Sequence, residues 1–229
     1  GTASVIINAN TTFTANAVVL NSNNFTLNGT AGQSATLSTF GSTMLGGAIT
    51  IGTSSQNNYI IAQDGTLIIN GNIDGTGDLI LLGSAFTATY FNVPPTVVPQ
   101  GSQTGAMIIN GEVGRTTPLN TITSNVAVTF GGTDNITVGD QFWDAANPIT
   151  LVADAKFISL NGNVTINAAI NGNFPLTIRA AGVATINGAI GNLDAVQFIT
   201  MSAPTIYLNG GIITSTGSQS YNGNVIFTN

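Results

Sequence analysis

The chain contains no cysteine and no histidine. Disulfide staples, thiol nucleophiles, histidine-based triads and the usual zinc sites are therefore excluded. Charge is scarce as well: three basic and nine acidic residues make up 5% of the 229, with a net charge of −6, where a soluble domain commonly spends about a quarter of its residues on charge. So few Lys and Arg cannot neutralise a run of phosphates, and no nucleic-acid partner is expected. No apolar run approaches the roughly 20 residues that cross a bilayer, so no membrane insertion of this segment is expected. The opening Gly1-Thr2-Ala3-Ser4 carries no charged and apolar signal region, which reads as a processed product or an excised segment.

Asn, Thr, Ser and 28 Gly take the place of charge, while hydrophobic residues hold an ordinary 43%. The composition predicts an uncharged polar surface over a normal core. Such a chain, without Cys and poor in Lys and Arg, fits an extracellular setting on a bacterial cell surface or in secretion. A single domain over 1–229 is the default at this length, large enough to bury a core without metal or disulfide help.

Helical periodicity is almost absent, and strand signals recur throughout. Ser4-Val5-Ile6-Ile7, Ala48-Ile49-Thr50-Ile51, Thr66-Leu67-Ile68-Ile69, Ala106-Met107-Ile108-Ile109, Val126 to Phe130, Val164-Thr165-Ile166 and Val225-Ile226-Phe227 are short, alternating and rich in β-branched residues. Gly, Asn, Asp or Ser bounds each of them, as strand-ending turns require.

The strands are punctuated by a repeated apolar-Asn-Gly-x-aliphatic element. Its asparagines are Asn70, Asn110, Asn161, Asn187, Asn209 and Asn222, with a relative at Asn167-Ala168. The step from Asn167 to Asn187 is 20 residues, from Asn187 to Asn209 it is 22, and from Asn70 to Asn110 it is 40, near twice the unit. One or two Asn-Gly pairs would read as type I′ hairpins in an antiparallel sandwich. Recurrence at a near-constant step favours a solenoid, and specifically an all-β, single-stranded parallel β-helix with coils of about 20 residues. The Asn amide has its own reason to sit there, because it can bond the equivalent Asn one coil away at a spacing of about 4.8 Å. Coils of this size would number roughly 11 and stack into a rod of about 50 Å.

The run Ile109 to Gly114 leading into Pro118 to Thr123, and the C-terminal run from Leu176 through Ala184 to Gly191 and on to Gly210 to Gly223, resemble repeats of large bacterial surface exoproteins. These are the autotransporter passengers and filamentous-haemagglutinin-like adhesins. The resemblance is strongest over residues 105–229, weaker over 45–83 and compositional before that. It implies a right-handed parallel β-helix, an outer-membrane or secreted location, and a role in adhesion or surface display. It brings no catalytic residue.

Two segments break the pattern and are expected to be loop insertions, at 84–105 and 133–148, where a rigid scaffold would carry function. The first holds Phe86, Tyr90 and Phe91 with Pro94, Pro95 and Pro99; the second holds Trp143, the sole tryptophan, with Asp144. Tyr90, Phe91, Trp143 and Asp144 are thus the candidate ligand-binding residues: an exposed ring can cover the apolar face of a sugar while polar neighbours take its hydroxyls. The competing reading places Phe142 and Trp143 in a packing role.

Some parallel β-helices act on polysaccharides, but such chemistry needs clustered carboxylates. Here the only close pairs are Asp74 with Asp78 and Asp140 with Asp144, both in turn-rich sequence where Asp is common for local reasons. Asp74 and Asp78 also fall short of the ligand density of a calcium loop. No catalytic residue, metal or cofactor is expected. The Thr pairs at Thr12/Thr14, Thr87/Thr89 and Thr121/Thr123 are too irregular to predict a flat ice-ordering array. Both ends of the sequence read as strand without a cap, which suggests either a piece of a longer rod or ends that stack on other copies. The expected function is a noncatalytic surface protein, an adhesin passenger or scaffold with a host-cell receptor or glycan as partner. The alternative is a fibre or array subunit joined by homotypic end-to-end stacking, with a polysaccharide-active enzyme ranked below both.

Overall fold

The computed structural model describes residues 4–8, 11–21, 23–30, 33–52, 57–83, 105–144 and 148–228. Among them there is no helix, and the chain winds as a parallel β-solenoid of about 9 turns with ~22 residues per turn. Most coils contribute a strand to each of three sheets, and some contribute only a single bridge to one of them, as at Val113 and Ile190. In one early coil the strands are Ile49–Ile51, Asn57–Ala62 and Thr66–Ile69; in a later one they are Ala155–Ser159, Val164–Ile166 and Ile170–Asn171.

The first sheet stacks Ser4–Asn8, Asn24–Asn28, Ile49–Ile51 and Ile73–Gly75. Bridges from Ile73 to Val113 and from Val113 to Asn135 carry it into Asp134–Thr137, Ala155–Ser159 and Leu176–Ala180. The second sheet runs from Thr11–Asn16 through Asp78–Gly83 and Gln141–Trp143 to Val183–Ile186. The third runs from Val19–Leu20 to Ile170–Asn171. Near the C-terminal end the corner between the first two sheets flattens, so Ile199–Leu208 and Gln219–Phe227 each pass through both, with a register shift between Ser202 and Thr205.

Every strand therefore finds its partner one coil away rather than across a tight turn, which removes the sandwich alternative. The coil count is lower than the sequence expectation because most coils run a little longer than 20 residues and one is much longer. Thr66–Ile69 pairs directly with Ala106–Ile109, and Asn110 Nδ2 donates to Asn70 Oδ1 at 2.8 Å. The 40-residue step is thus one long coil and not two short ones. The expected insertion at 84–105 falls inside that coil, although residues 84–104 lie outside the described residues.

Alternation along each strand puts every second side chain inside. In the first sheet Phe25, Ile49, Ile73 and Val113 form one inward column, which continues through Asn135 to Phe157, Ile178 and Met201. Parallel columns of Leu37, Ile60 and Leu81 in the second sheet and Leu45, Ile69 and Ile109 in the third complete the interior. Each large apolar side chain in these columns contributes about 1.5–3 kcal/mol on burial, so stability accrues coil by coil along the axis.

The segment 133–148 was expected to loop out, and over 133–144 it does not. Asp134–Thr137 and Gln141–Trp143 are regular strands of the first and second sheets, with 145–147 outside the described residues. Trp143 faces inward and is 1% exposed. It meets Phe130 of the third sheet at 5.4 Å and Phe157 of the first at 5.2 Å, and those two rings lie 5.5 Å apart, all edge to face. The three sheets thus meet at one aromatic triangle. The indole Nε1 donates to Gln141 Oε1 at 3.3 Å, while Gln141 Nε2 donates to the carbonyls of Asn135 and Ile158.

Corners explain the Asn-Gly element. In the C-terminal half, Asn187 donates to Asn167 at 2.6 Å and Asn209 donates to Asn187 at 2.7 Å, with the Thr228 hydroxyl donating to Asn209. This ladder edges the corner from second to third sheet, whereas Asn70 and Asn110 edge the corner from third to first. The glycine that follows is required by proximity rather than by turn type. A Cβ on Gly188 would lie 1.9 Å from the Ala168 carbonyl oxygen, and on Gly111 2.0 Å from that of Gly71, yet neither has a positive φ.

Candidate functional site

The residues chosen from sequence do not assemble into one site. Tyr90 and Phe91 lie outside the described residues. Trp143 is corrected from a stacking platform to a core residue, since an inward indole packed between two phenyl rings offers no face to a sugar. Asp144 follows it at the corner, half-buried, with its N–H donating to the Ser124 carbonyl at 3.0 Å.

Four of the six turn asparagines, Asn70, Asn110, Asn187 and Asn209, form the rungs described above. Asn161 does not: its N–H donates to the Val138 carbonyl, and Asn163 makes the inter-coil bridge instead, accepting from the Val183 N–H at 2.8 Å. Asn222 is not in a turn at all but inside the strand Gln219–Phe227.

The carboxylates are spread along the corners as staples between coils. Asp74 Oδ1 accepts from the N–H groups of Thr116 and Thr117, Asp78 Oδ1 from Asn120 and Thr121 side chains, Asp140 Oδ1 from Asn163, and Asp64 Oδ1 from the Gly41 N–H. The two close pairs noted in sequence therefore face separate partners, and among the described residues no group of His, Cys, Asp or Glu is placed to hold a metal.

Outside the first sheet one ionic network gathers Glu112, Arg115, Asp134 and Lys156. Arg115 contacts Glu112 and reaches Asp134 at 3.7 Å; Lys156 Nζ sits 3.0 Å from Asp134 Oδ1, and the Thr133 hydroxyl donates to Glu112. The Arg115 hydrogen bond, with help from Thr133, holds the Glu112 carboxyl below its ordinary range, and Glu112 in turn raises the Arg115 guanidinium. Two of the three basic residues are thereby neutralised in place.

The third base stands apart. Arg179 projects outward from Leu176–Ala180 into a groove of about 380 Å³ at the corner of the first and second sheets. Ser159, Ser202, Pro204 and Asn222 also line it. Register aligns Arg179 with Ser202 and Ser202 with Asn222, so the three stand in one outward column on consecutive coils. Among the described residues none of these three side chains has a hydrogen-bond or ion-pair partner. Ser159 is already engaged, donating to the Gly139 carbonyl and accepting from the Gly162 N–H. The corner is shaped by small residues: a Cβ on Gly223, which has φ +145°, would lie 1.8 Å from the Ala203 carbonyl oxygen.

Sequence reasoning missed this groove. The outward position of Arg179 follows from alternation in Leu-Thr-Ile-Arg-Ala, but its alignment with Ser202 and Asn222 depends on coil lengths of unequal size. The outward column of the second sheet likewise breaks any threonine array, running Thr12, Thr36, Tyr59, Ile80, Thr123, Phe142, Thr165, Thr185 and Tyr207. No protein-family description, curated protein or solved structure matches the chain.

Proposed function

We propose that this chain is a noncatalytic extracellular β-solenoid that presents an attachment surface, as an adhesin passenger or scaffold on or released from a bacterial cell. The observation that carries the reading is how the polar side chains are used. Asp64, Asp74, Asp78 and Asp140 accept hydrogen bonds across coils, and the Asn ladders do the same, so these groups hold the rod together instead of facing a substrate. What remains outside is a largely uncharged surface of Thr, Ser and Asn with scattered exposed apolar side chains such as Ile6, Val19 and Leu193, on a rigid wall suited to display. The resemblance to surface exoprotein repeats supports the same reading and the same location. A host-cell receptor or glycan is the partner class.

The test is attachment: beads coated with the purified chain are scored for binding to epithelial cells against uncoated and albumin-coated beads, alongside release of reducing or unsaturated ends from plant and bacterial polysaccharides. Cell binding without polysaccharide cleavage is expected; cleavage without cell binding would replace this reading with an enzymatic one.

Self-assembly has its own supporting observation. Among the described residues Gln219–Phe227 pairs on one side only, with Ile199–Leu208, and its inward Tyr221 and Val225 are incompletely covered while Phe227 is 72% exposed. The free edge accepts another coil, from a longer chain or from a second copy. Light scattering over a concentration series, followed by electron microscopy, separates these: regular fibres favour stacking of copies, and a constant monomer mass removes it.

A further inference from the structure

We propose that the Arg179 groove binds a carboxylate-bearing oligosaccharide, a chain containing uronic-acid units. This rests on the attachment reading and gives it a ligand class. The chain carries a net charge of −6, yet at this corner it leaves a guanidinium exposed and without an acidic partner, while Arg115 and Lys156 are both paired. An Arg kept free in this way is suited to take a carboxylate through two parallel N–H donors, which Lys cannot match.

The neighbours in the column decide the rest of the ligand. Ser202 offers a hydroxyl that donates and accepts, and Asn222 an amide that does both, so each complements sugar hydroxyls rather than a second charge. Successive coils are about 4.8 Å apart, so the column from Arg179 to Asn222 spans about 10 Å along the axis. Ala180, Ala203 and Pro204 give the groove an apolar floor against which C–H faces can rest. A volume of about 380 Å³ falls in the range of ligand pockets. One cation beside neutral hydrogen-bonding groups fits a ligand with a single carboxylate among many hydroxyls. A phosphate polyanion would need more bases, and a neutral glycan would use the guanidinium only as a hydrogen-bond donor and leave its charge without a counter-ion.

The experiment is isothermal titration of the full chain with trigalacturonic acid, with the neutral galactose trimer and a tri-aspartate peptide as comparison ligands, at about 20 mM and about 300 mM NaCl. The acidic trimer is expected to bind best, and more weakly at the higher salt. Arg179→Gln should weaken binding at least about ten-fold, and Arg179→Lys by less, because the charge stays but the fork is lost. Asn222→Ala and Ser202→Ala should each weaken binding several-fold, and they carry the test if Arg179→Gln lowers the melting temperature. Arg115→Gln, remote in the ionic network, should leave binding unchanged. The proposal is overturned if the parent chain does not bind the acidic trimer, if it binds the neutral trimer or the peptide as well, or if Arg179→Gln binds like the parent. Cell attachment that persists without trimer binding overturns only the groove; absence of cell attachment with trimer binding intact overturns the attachment reading and leaves the groove standing.

Discussion

Asn135→Val should make the protein more stable, against the usual direction of a core substitution. Asn135 occupies an inward position between Val113 and Phe157, is 1% exposed, and has no hydrogen-bond partner for either Nδ2 or Oδ1 among the described residues. Leaving a buried amide unsatisfied costs about 1–3 kcal/mol. Valine removes that cost, restores the apolar column and suits a strand, while imperfect packing subtracts less than about 1.5 kcal/mol. The Gln141 bond to the residue-135 carbonyl is a backbone contact and survives the change. A net gain of about 1–2 kcal/mol is expected, which moves the melting temperature of a chain this long by about 2–8 °C. Urea unfolding with the slope compared between variants is the assay, because an unchanged slope shows that native and unfolded states expose the same surface. Loss of more than about 1 kcal/mol would refute the reasoning, since it would mean the amide is bonded in solution. Asn135→Asp gives the opposite sign: burial without a cation raises the carboxyl pKa, so destabilisation is full above that pKa and shrinks as pH falls through it.

Removing the central rung of the ladder with Asn187→Ala deletes one donated and one accepted bond, for a loss of about 1–2 kcal/mol in the same unfolding assay; an unchanged midpoint would show the ladder to be ornamental. Gly188→Ala forces a methyl into the Ala168 carbonyl at 1.9 Å and should lose about 1–3 kcal/mol, whereas a change driven only by helix or strand propensity would be far smaller. Because Glu112 is held below its ordinary pKa, its stabilisation is present above about pH 4.3 and disappears as pH falls through the lowered value. Glu112→Gln should therefore flatten that part of the stability-against-pH curve, and identical acid limbs in the two proteins would contradict the assigned network.

Several particulars separate what was readable from what was not. Strand alternation in Thr66-Leu67-Ile68-Ile69 or Val183-Ala184-Thr185-Ile186 predicts which face is buried, and the structure agrees. The amide ladder also followed from spacing, as Asn187 and Asn209 show. Trp143 was misplaced because a strand of three residues, Gln141–Trp143, holds two adjacent aromatics and gives alternation no purchase on which of them points inward. Asn161 sits at a corner as expected but makes no rung, and Asn222 was misplaced, because the same tripeptide pattern occurs at corners of different sheets and once inside a strand.

The sequence by itself determined an all-β chain with a coil period, an uncharged surface and an interior of stacked aliphatic residues. Those follow from local alternation and from recurrence, both of which are properties of neighbours along the chain. Only the tertiary structure decided that Asn70 and Asn110 touch across 40 residues, that Phe130, Trp143 and Phe157 meet at one point, and that Arg179, Ser202 and Asn222 stand in a single column. The physical reason is that side chains on different coils align by hydrogen-bonded register, and register depends on the length of every corner between them, which no local pattern encodes.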